Sequence, residues 1–212
     1  MTTSRSRAAR FFLVRHGETE GESSIRYHGA TDVPLSELGR EQTRRAARAI
    51  AARRSDVNFG KVFSSPLVRA SEGARIITRE ISGEPASIVT IEEFAEVHFG
   101  LFEGLTADEI RERYPDQFEV WNADRLAADY TYPEGESRAN FAARVERGLE
   151  RVLAIWTPER SDDDALLVAH RGVIRAIVRK LTNQQPLVEL GSIQILEFDG
   201  GWRVVALDLC ES

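Results

Sequence analysis

The chain has 212 residues, a hydrophobic fraction of 42% and a formal net charge of −6. These values are ordinary for a globular protein, and the length suggests one domain or at most two small ones. The acidic balance argues against general binding to nucleic acid or to an anionic membrane surface, both of which favour basic proteins. Cys210 is the only cysteine, which excludes an intrachain disulfide and a cysteine-rich zinc site.

The amino-terminal residues 1–9 are basic and precede a very short apolar run. A signal peptide needs about 7–15 apolar residues and a membrane span about 20, and no run in the chain reaches that second length. We predict that residues 1–9 form a flexible tail, that residues 10–212 form a single domain, and that the protein is cytoplasmic.

Short apolar segments and amphipathic helical segments alternate along the first half of the chain. The predicted elements are a buried strand at 11–15, a helix that Ser36 caps and that runs to about Arg54, a strand at 62–64, and a helix that Ser65 and Pro66 open as cap and first-turn proline. In the second helix, apolar residues recur at intervals of three and four, which predicts one buried face.

The second half continues the alternation. The predicted elements are a strand at 88–91, a helix from a capping box at Thr106–Glu109 to about Pro115, a long helix from Ser137, a strand at 165–169, a helix at 172–181, and a hairpin of strands at 193–198 and 202–207. This order predicts an α/β fold: a mostly parallel sheet with helices on both faces and a carboxy-terminal hairpin. The hairpin would offer a free sheet edge on which two copies could pair as a homodimer.

Two of the four histidines lie at matched positions, each directly after a predicted strand. His16 follows Arg15 and precedes a glycine, and His170 is followed by Arg171 and a glycine. Ligands of such sheets bind beyond the carboxyl ends of the strands, which makes both histidines candidate site residues. The alternative is a structural histidine that only makes hydrogen bonds.

The arginines near these strand ends help to distinguish a metal site from a site that binds a phosphoryl group. Arg69 lies near a helix amino terminus, where a cation is disfavoured unless an anion binds; a salt bridge to Glu72 is the alternative. Two histidines with carboxylates could hold a metal, but Arg15, Arg69 and Arg171 would repel a dication. The set therefore favours a bound phosphoryl group and a histidine that attacks it.

Several segments, in this order, resemble the motifs of the histidine phosphatase superfamily, in its phosphoglycerate-mutase-like branch. They are Leu13–Thr19, Arg26–Gly29, Asp32–Leu35, Ser64–Ala70, Glu96–Gly104, Pro133–Ser137 and Val168–Val173. The resemblance implies a phosphohistidine at His16, phosphoryl binding by Arg15, Arg69 and His170, and proton transfer by Glu96. It also implies that no metal or other cofactor is needed. Without it, the sequence does not distinguish Glu96 from Glu92, Glu93 or Glu103.

The chain departs from the family pattern at two positions near the expected phosphate. Glu22 stands where the family commonly has asparagine, and His28 stands before Gly29 where it often has glutamine. Glu22, His28 and Gly29 are therefore candidate substrate contacts. We expect Glu22 to point into the pocket rather than outward to Arg26.

The resemblance leaves three functions open. The preferred one is hydrolysis of a small phosphomonoester, because the mutases of the family carry extra basic residues and insertions after the acid-bearing motif. Here that stretch is compact, and its cations Arg111 and Arg113 are expected to pair on a solvated helix face, for example Arg113 with Glu109. The alternatives are a phosphoglycerate mutase and a phospho-ligand-binding protein with little turnover, the latter suggested by Glu22. The natural substrate cannot be read from the sequence.

Overall fold

One six-stranded sheet organises the residues that the computed structural model describes, which are 7–53, 56–84, 86–124, 127, 129–160 and 162–209. The strands are β1 (Ala9–Arg15), β2 (Phe59–Ser64), β3 (Ile88–Thr90), β4 (Asp164–Ala169), β5 (Ile193–Phe198) and β6 (Trp202–Leu209), in the spatial order β3-β2-β4-β1-β5-β6. The first four run parallel, whereas β5 and β6 are antiparallel additions at the β1 side. The predicted mostly parallel sheet and terminal hairpin are thus confirmed.

Helices cover both faces of this sheet. They are α1 (Glu37–Arg53), α2 (Val68–Ser82), α3 (Ala107–Arg113), α4 (Pro115–Asp124), α5 (Arg138–Trp156) and α6 (Arg171–Thr182). Successive side chains of β1 point to opposite faces: Phe11 packs with α5 and α6, and Phe12 packs with α1 and α2. Both phenylalanines are fully buried, as expected for a strand between two helical layers.

The start of α2 differs from the sequence-based expectation. The helix begins at Val68 after an extended Leu67, so Ser65 is not its cap. The Ser65 hydroxyl oxygen instead accepts a hydrogen bond from the Leu67 backbone N–H and contacts His170. The Ser65 side chain therefore contacts His170 at the end of β4 instead of capping α2.

The helix predicted from Thr106 is confirmed, including its capping box. Where a helix end was predicted near Pro115, a further helix, α4, begins with that proline. Proline suits the first turn of a helix because its missing N–H would have had no intrahelical partner there. Together with the segment around Phe102, α3 and α4 enclose a small aromatic core that includes Trp121 and Tyr132.

The predicted boundaries shift at the amino-terminal side. Ala9 already belongs to β1 and Arg7 forms an ion pair with Asp164, so the predicted flexible tail does not extend to residue 9. Residues 1–6 and Arg54 lie outside the described residues. Within the described ranges, none of the helices is both long and apolar enough to cross a bilayer.

Candidate active site

Parallel pairing brings the two candidate histidines together. Arg15 of β1 is in register with Ala169 of β4, and the chain continues from these residues into His16 and His170. The two imidazole rings are 5.1 Å apart between centroids and both are buried. The matched strand ends thus form one site, as the sequence predicts.

A hydrogen bond at Nδ1 of His16 shows which ring nitrogen carries the proton and which keeps a lone pair. Its Nδ1 lies 2.7 Å from the Gly17 carbonyl oxygen, which can only accept, so Nδ1 carries the proton and Nε2 keeps its lone pair. Burial, with the charges of Arg69 and Arg15, holds the pKa of His16 well below its usual value. His16 is therefore neutral at pH 7, the state required of an imidazole nucleophile.

His170 presents a buried donor beside His16. Its Nε2 lies 2.7 Å from the Ser65 hydroxyl oxygen, which accepts from the Leu67 N–H at 3.2 Å and can donate its own proton to Nε2. When the Ser65 hydroxyl donates in this way, the imidazole proton of His170 sits on Nδ1, a buried nitrogen that has no protein partner in the described part of the chain. An unpaired buried donor is costly, and a bound oxyanion would satisfy it.

Arg15 is only 7% exposed and lacks a carboxylate partner within the described ranges. Its Nη1 donates to the Val188 carbonyl oxygen at 3.1 Å, while its buried Nε has no partner among the described residues. Burial and the nearby Arg171 lower the pKa of Arg15 to about 10. A buried cation in this setting would be stabilised by an anionic ligand.

Backbone carbonyls orient Arg69. Its two terminal nitrogens donate to the Gly29 oxygen at 2.6 Å and the Thr31 oxygen at 2.8 Å. The alternative salt bridge to Glu72 is absent, because Glu72 pairs with Arg40 at 2.7 Å. Burial lowers the pKa of Arg69, which is a second cation without a carboxylate in contact among the described residues.

Gly29 is required by the loop that holds Arg69. A Cβ on Gly29 would lie 2.1 Å from Oε1 of Glu103, and its φ of 48° disfavours other residues. Glu103 accepts hydrogen bonds from the backbone of Ala30, Thr31 and Phe99, and so fixes the loop. The sequence did not assign Glu103 this role, because two of these three partners, Ala30 and Thr31, lie 73 and 72 residues away.

Glu96 lies in the cleft, and two backbone N–H groups orient it. Its oxygens accept from the Val97 N–H and from the Gly172 N–H, both at 3.0 Å. A Cβ on Gly172 would come within 2.5 Å of the carboxylate, so the glycine after Arg171 makes room for the acid. Glu92 and Glu93 begin a short 3₁₀ turn and do not line the cleft.

The cleft has a volume of about 190 Å³. Its walls are formed by Arg15, His16, Ser23, Ser24, Ile25, Arg26, Tyr27, His28, Gly29, Arg69, Glu96, Phe99 and Arg171. His28 lines it while its Nε2 lies 2.8 Å from the Gly21 oxygen. In the described residues, no group of three or more His, Cys, Asp or Glu side chains could hold a metal ion.

Glu22 points away from the cleft. Its side chain is 67% exposed and its nearest carboxylate oxygen is 3.8 Å from Nε of Arg26, so the expected inward orientation is wrong. Arg26 also binds both oxygens of Glu109, which replaces the expected pairing of Glu109 with Arg113. The backbone at Glu22 has a φ of 65°, in the left-handed region.

The backbone at Val188 is strained, and its carbonyl oxygen orients two arginines of the site. Val188 has a φ of 60°, which is unusual for a β-branched residue, and its carbonyl oxygen accepts from both Arg15 and Arg171. Asp208 of β6 holds this turn by accepting from the backbone N–H groups of Leu187 and Val188 at 2.9 and 2.8 Å. No local sequence signal indicated either contribution.

Comparison with known proteins is consistent with this geometry. A sequence model of the histidine phosphatase superfamily (branch 1) matches residues 11–208. The chain is 34% identical over 178 residues to a glucosyl-3-phosphoglycerate phosphatase of Mycolicibacterium vanbaalenii, covering 82% of this chain and 75% of the relative. It is 31% identical over 179 residues to a 2,3-bisphosphoglycerate-dependent phosphoglycerate mutase of Rhizobium etli, covering 82% of each. A solved mycobacterial glucosyl-3-phosphoglycerate phosphatase superposes with a TM-score of 0.73 at 27% identity, covering 95% of this chain and 99% of that one.

Proposed function

The chain belongs to the histidine phosphatase superfamily, branch 1, and we propose that it hydrolyses a small phosphomonoester through a phosphohistidine at His16. The observation that carries the proposal is the state of three neighbouring groups. His16 has a free Nε2 lone pair, while Arg15 Nε and His170 Nδ1 are buried nitrogens without hydrogen-bond partners in the described residues. The phosphorus of a bound phosphoryl group would accept the lone pair of His16, and its oxygens would form hydrogen bonds with Arg15 Nε and His170 Nδ1.

The first step forms the covalent intermediate. The Nε2 lone pair of His16 attacks phosphorus as the bond to the ester oxygen breaks, and Glu96 gives its proton to the departing alkoxide. Arg15, Arg69 and His170 surround the phosphoryl oxygens and stabilise the charge that develops on them. The lowered pKa of His16 keeps its lone pair available at neutral pH.

The second step restores the enzyme. Glu96, now ionised, accepts a proton from water while the water oxygen attacks phosphorus and the bond to Nε2 breaks. Inorganic phosphate leaves and His16 is again neutral. The two backbone hydrogen bonds to Glu96 hold it in place for both proton transfers.

The site supports hydrolysis over mutase activity. A mutase must hold a second phosphoryl group; of the cleft-wall arginines outside the phosphoryl site, Arg26 is already bound by Glu109, which leaves Arg171 alone. Arg111 pairs with Asp108, and neither Arg111 nor Arg113 lines the cleft. The outward Glu22 removes the reason to expect a binding protein without turnover.

Hydrolysis of 4-nitrophenyl phosphate by the purified chain tests the proposal. We expect turnover without added 2,3-bisphosphoglycerate and loss of turnover in His16→Asn. Phosphoryl transfer only in the presence of that primer would identify a mutase, and binding of phosphate without either reaction would identify a binding protein. A cytoplasmic location and a homodimer remain predictions from the sequence.

A further inference from the structure

The guanidinium group of Arg144 forms hydrogen bonds with all five of its N–H groups, although the residue lies outside the cleft wall. It projects from α5, and its side chain is 18% exposed. Its Nε and Nη2 donate to the two oxygens of Glu136 at 2.7 and 2.8 Å. The other three N–H groups donate to backbone carbonyl oxygens, those of Glu93 at 2.7 Å, Ala95 at 2.6 Å and Glu96 at 3.0 Å. Arg144 thus has no donor left for a ligand.

These carbonyl oxygens belong to the segment that carries the proton donor Glu96. Residues 95–99 belong to no helix or strand, so helical or sheet hydrogen bonds do not fix their backbone. Arg144 instead holds the carbonyl groups before and at Glu96, and the backbone N–H of Glu136 donates to the His98 oxygen after it, at 2.9 Å. The ion pair of Arg144 and Glu136 therefore fixes the chain on both sides of the acid.

This backbone determines where the Glu96 carboxylate lies. One of its two donors, the Val97 N–H, is part of the segment that Arg144 holds. The other donor, the Gly172 N–H, lies beside Phe141 of α5, since a Cβ on Gly172 would be 3.0 Å from the Phe141 ring. The Arg144 guanidinium covers that ring, 4.7 Å from its centroid. Arg144 thus supports both hydrogen bonds that orient the acid.

Resting on the proposed function, we propose that Arg144 and Glu136 are positioning residues for proton transfer, which hold Glu96 where the ester oxygen leaves. Arg144 acts through Glu96 and does not touch the substrate. Its planar fork serves a carboxylate and three carbonyl groups at once, which lysine cannot do because it has three N–H groups and arginine has five. A displacement of about 1 Å at a reacting group can cost about 10²-fold in rate, so loss of the fork should alter the chemistry.

Two matched substrates report proton donation to the leaving group. 4-Nitrobenzyl phosphate and 4-nitrophenyl phosphate differ by one methylene, but the first releases a basic alkoxide and the second a phenolate that leaves readily. Their kcat/KM values cover the steps up to release of the alcohol, which include the proton transfer from Glu96. In Arg144→Lys, we expect kcat/KM for the benzyl ester to fall at least about tenfold more than for the phenyl ester, as part of the usual contribution of a general acid.

A double variant shows whether Arg144 acts through Glu96. In the Glu96→Gln background the proton donor is already absent, so Arg144→Lys should change kcat/KM for 4-nitrobenzyl phosphate by less than about twofold. Burial is the main cause of the lowered pKa of His170 and the charge of Arg144 is a smaller one, and lysine keeps that charge. A loss in Arg144→Lys therefore reports geometry and not charge.

Arg151→Lys is the matched control. Arg151 projects from α5 two turns after Arg144 and contacts the same segment, but through the Glu93 carboxylate at 3.6 Å rather than a carbonyl oxygen. Its substitution should leave the ratio of the two kcat/KM values unchanged. Glu136→Gln is a second test variant, because it removes one of the two acceptors of the Arg144 fork, and it should shift the ratio in the same direction by a smaller factor.

The outcomes separate this proposal from the proposed function. Equal losses on the two esters, or a loss in the Glu96→Gln background as large as in the parent, would overturn the role of Arg144. Urea unfolding identifies a variant that does not fold; if Arg144→Lys is one, Glu136→Gln decides the question. Absence of hydrolysis of both esters by the parent protein would instead overturn the proposed function, and this proposal with it.

Discussion

Two arginines of β1, Arg10 and Arg15, are both buried but meet opposite surroundings. Arg10 binds both oxygens of the fully buried Asp164, at 2.9 and 2.6 Å, and also contacts Asp56. Burial alone would lower the pKa of Arg10, but these hydrogen bonds and charges outweigh it and the pKa is raised. Arg15 has no carboxylate in contact within the described residues, and its pKa is lowered.

The difference distinguishes an end of the sheet that stabilises the fold from an end that is prepared for a ligand. At the amino-terminal end of β1 and β4, Arg10 and Arg7 both pair with Asp164. At the carboxyl end, donors of Arg15 and His170 remain unsatisfied. The protein keeps two buried donors unpaired where a phosphoryl group would bind, which is a cost in stability that substrate binding would remove.

The largest expected effect concerns the acid at the carboxyl end. Glu96→Gln should reduce kcat/KM on an alkyl phosphate by about 10²–10⁴, because the alkoxide then leaves without a proton. On 4-nitrophenyl phosphate, whose phenolate leaves readily, the loss should be much smaller. Steady-state kinetics on the two substrates checks this. Equal losses would mean that Glu96 only orients the site.

Substitutions of Arg15 and Arg10 should have opposite effects on activity and on stability. Arg15→Met should reduce kcat/KM by about 10²–10³, the usual cost of one donor to a developing oxyanion, without lowering the free energy of unfolding. Arg10→Met should leave kcat/KM nearly unchanged and destabilise the fold by about 3–5 kcal/mol, because Asp164 loses its main partner. Urea unfolding and kinetics on both variants give the result. Similar losses of stability in the two would break the comparison.

The buried histidines at the carboxyl end predict a pH effect on stability. Folding lowers the pKa of His16, so below about pH 6.5 the unfolded chain binds a proton that the folded chain does not. Stability contributed by neutral His16 is full above that pH and falls by up to about 1.4 kcal/mol per pH unit below it. In phosphate-free buffer, His16→Asn should therefore lose less stability than the parent between pH 6 and 5. Parallel curves would show that His16 is protonated in the folded state.

The smallest expected effect is at Glu22. Since its carboxylate is exposed and near Arg26, Glu22→Asn should change kcat/KM on simple phosphomonoesters by less than about twofold across the pH range. A gain of about tenfold that shrinks at low pH would place the carboxylate in the field of the phosphate and restore the inward orientation.

Sequence reasoning identified the carboxyl end of the sheet more completely than the amino-terminal end. His16 and His170 directly follow apolar strands, so strand periodicity places them together. Arg10 and Asp164 are 154 positions apart and nothing in their local sequence connects them. The predicted start of α2 was wrong because Ser65 and Pro66 resemble a helix opening, whereas Ser65 directly follows β2 and contacts the buried His170.

The orientation of Glu22 could not be predicted for a similar reason. The family pattern indicated a position near the phosphate, but the backbone at Glu22 adopts a positive φ and Arg26 attracts the carboxylate outward. The contribution of Val188 was equally hidden, because Asp208 on β6 supports it from a separate element. Both depend on tertiary contacts rather than on local sequence.

Chemical trapping of the intermediate tests the central claim most directly. The enzyme is mixed with a ³²P-labelled phosphomonoester, quenched in alkali within the first turnover, digested and mapped. We predict label on the peptide that contains His16, stable in base and lost in acid, and no label in His16→Asn. Label on another residue, or its absence from the parent protein while a rapid first turnover releases product, would contradict the assignment of His16 as the nucleophile.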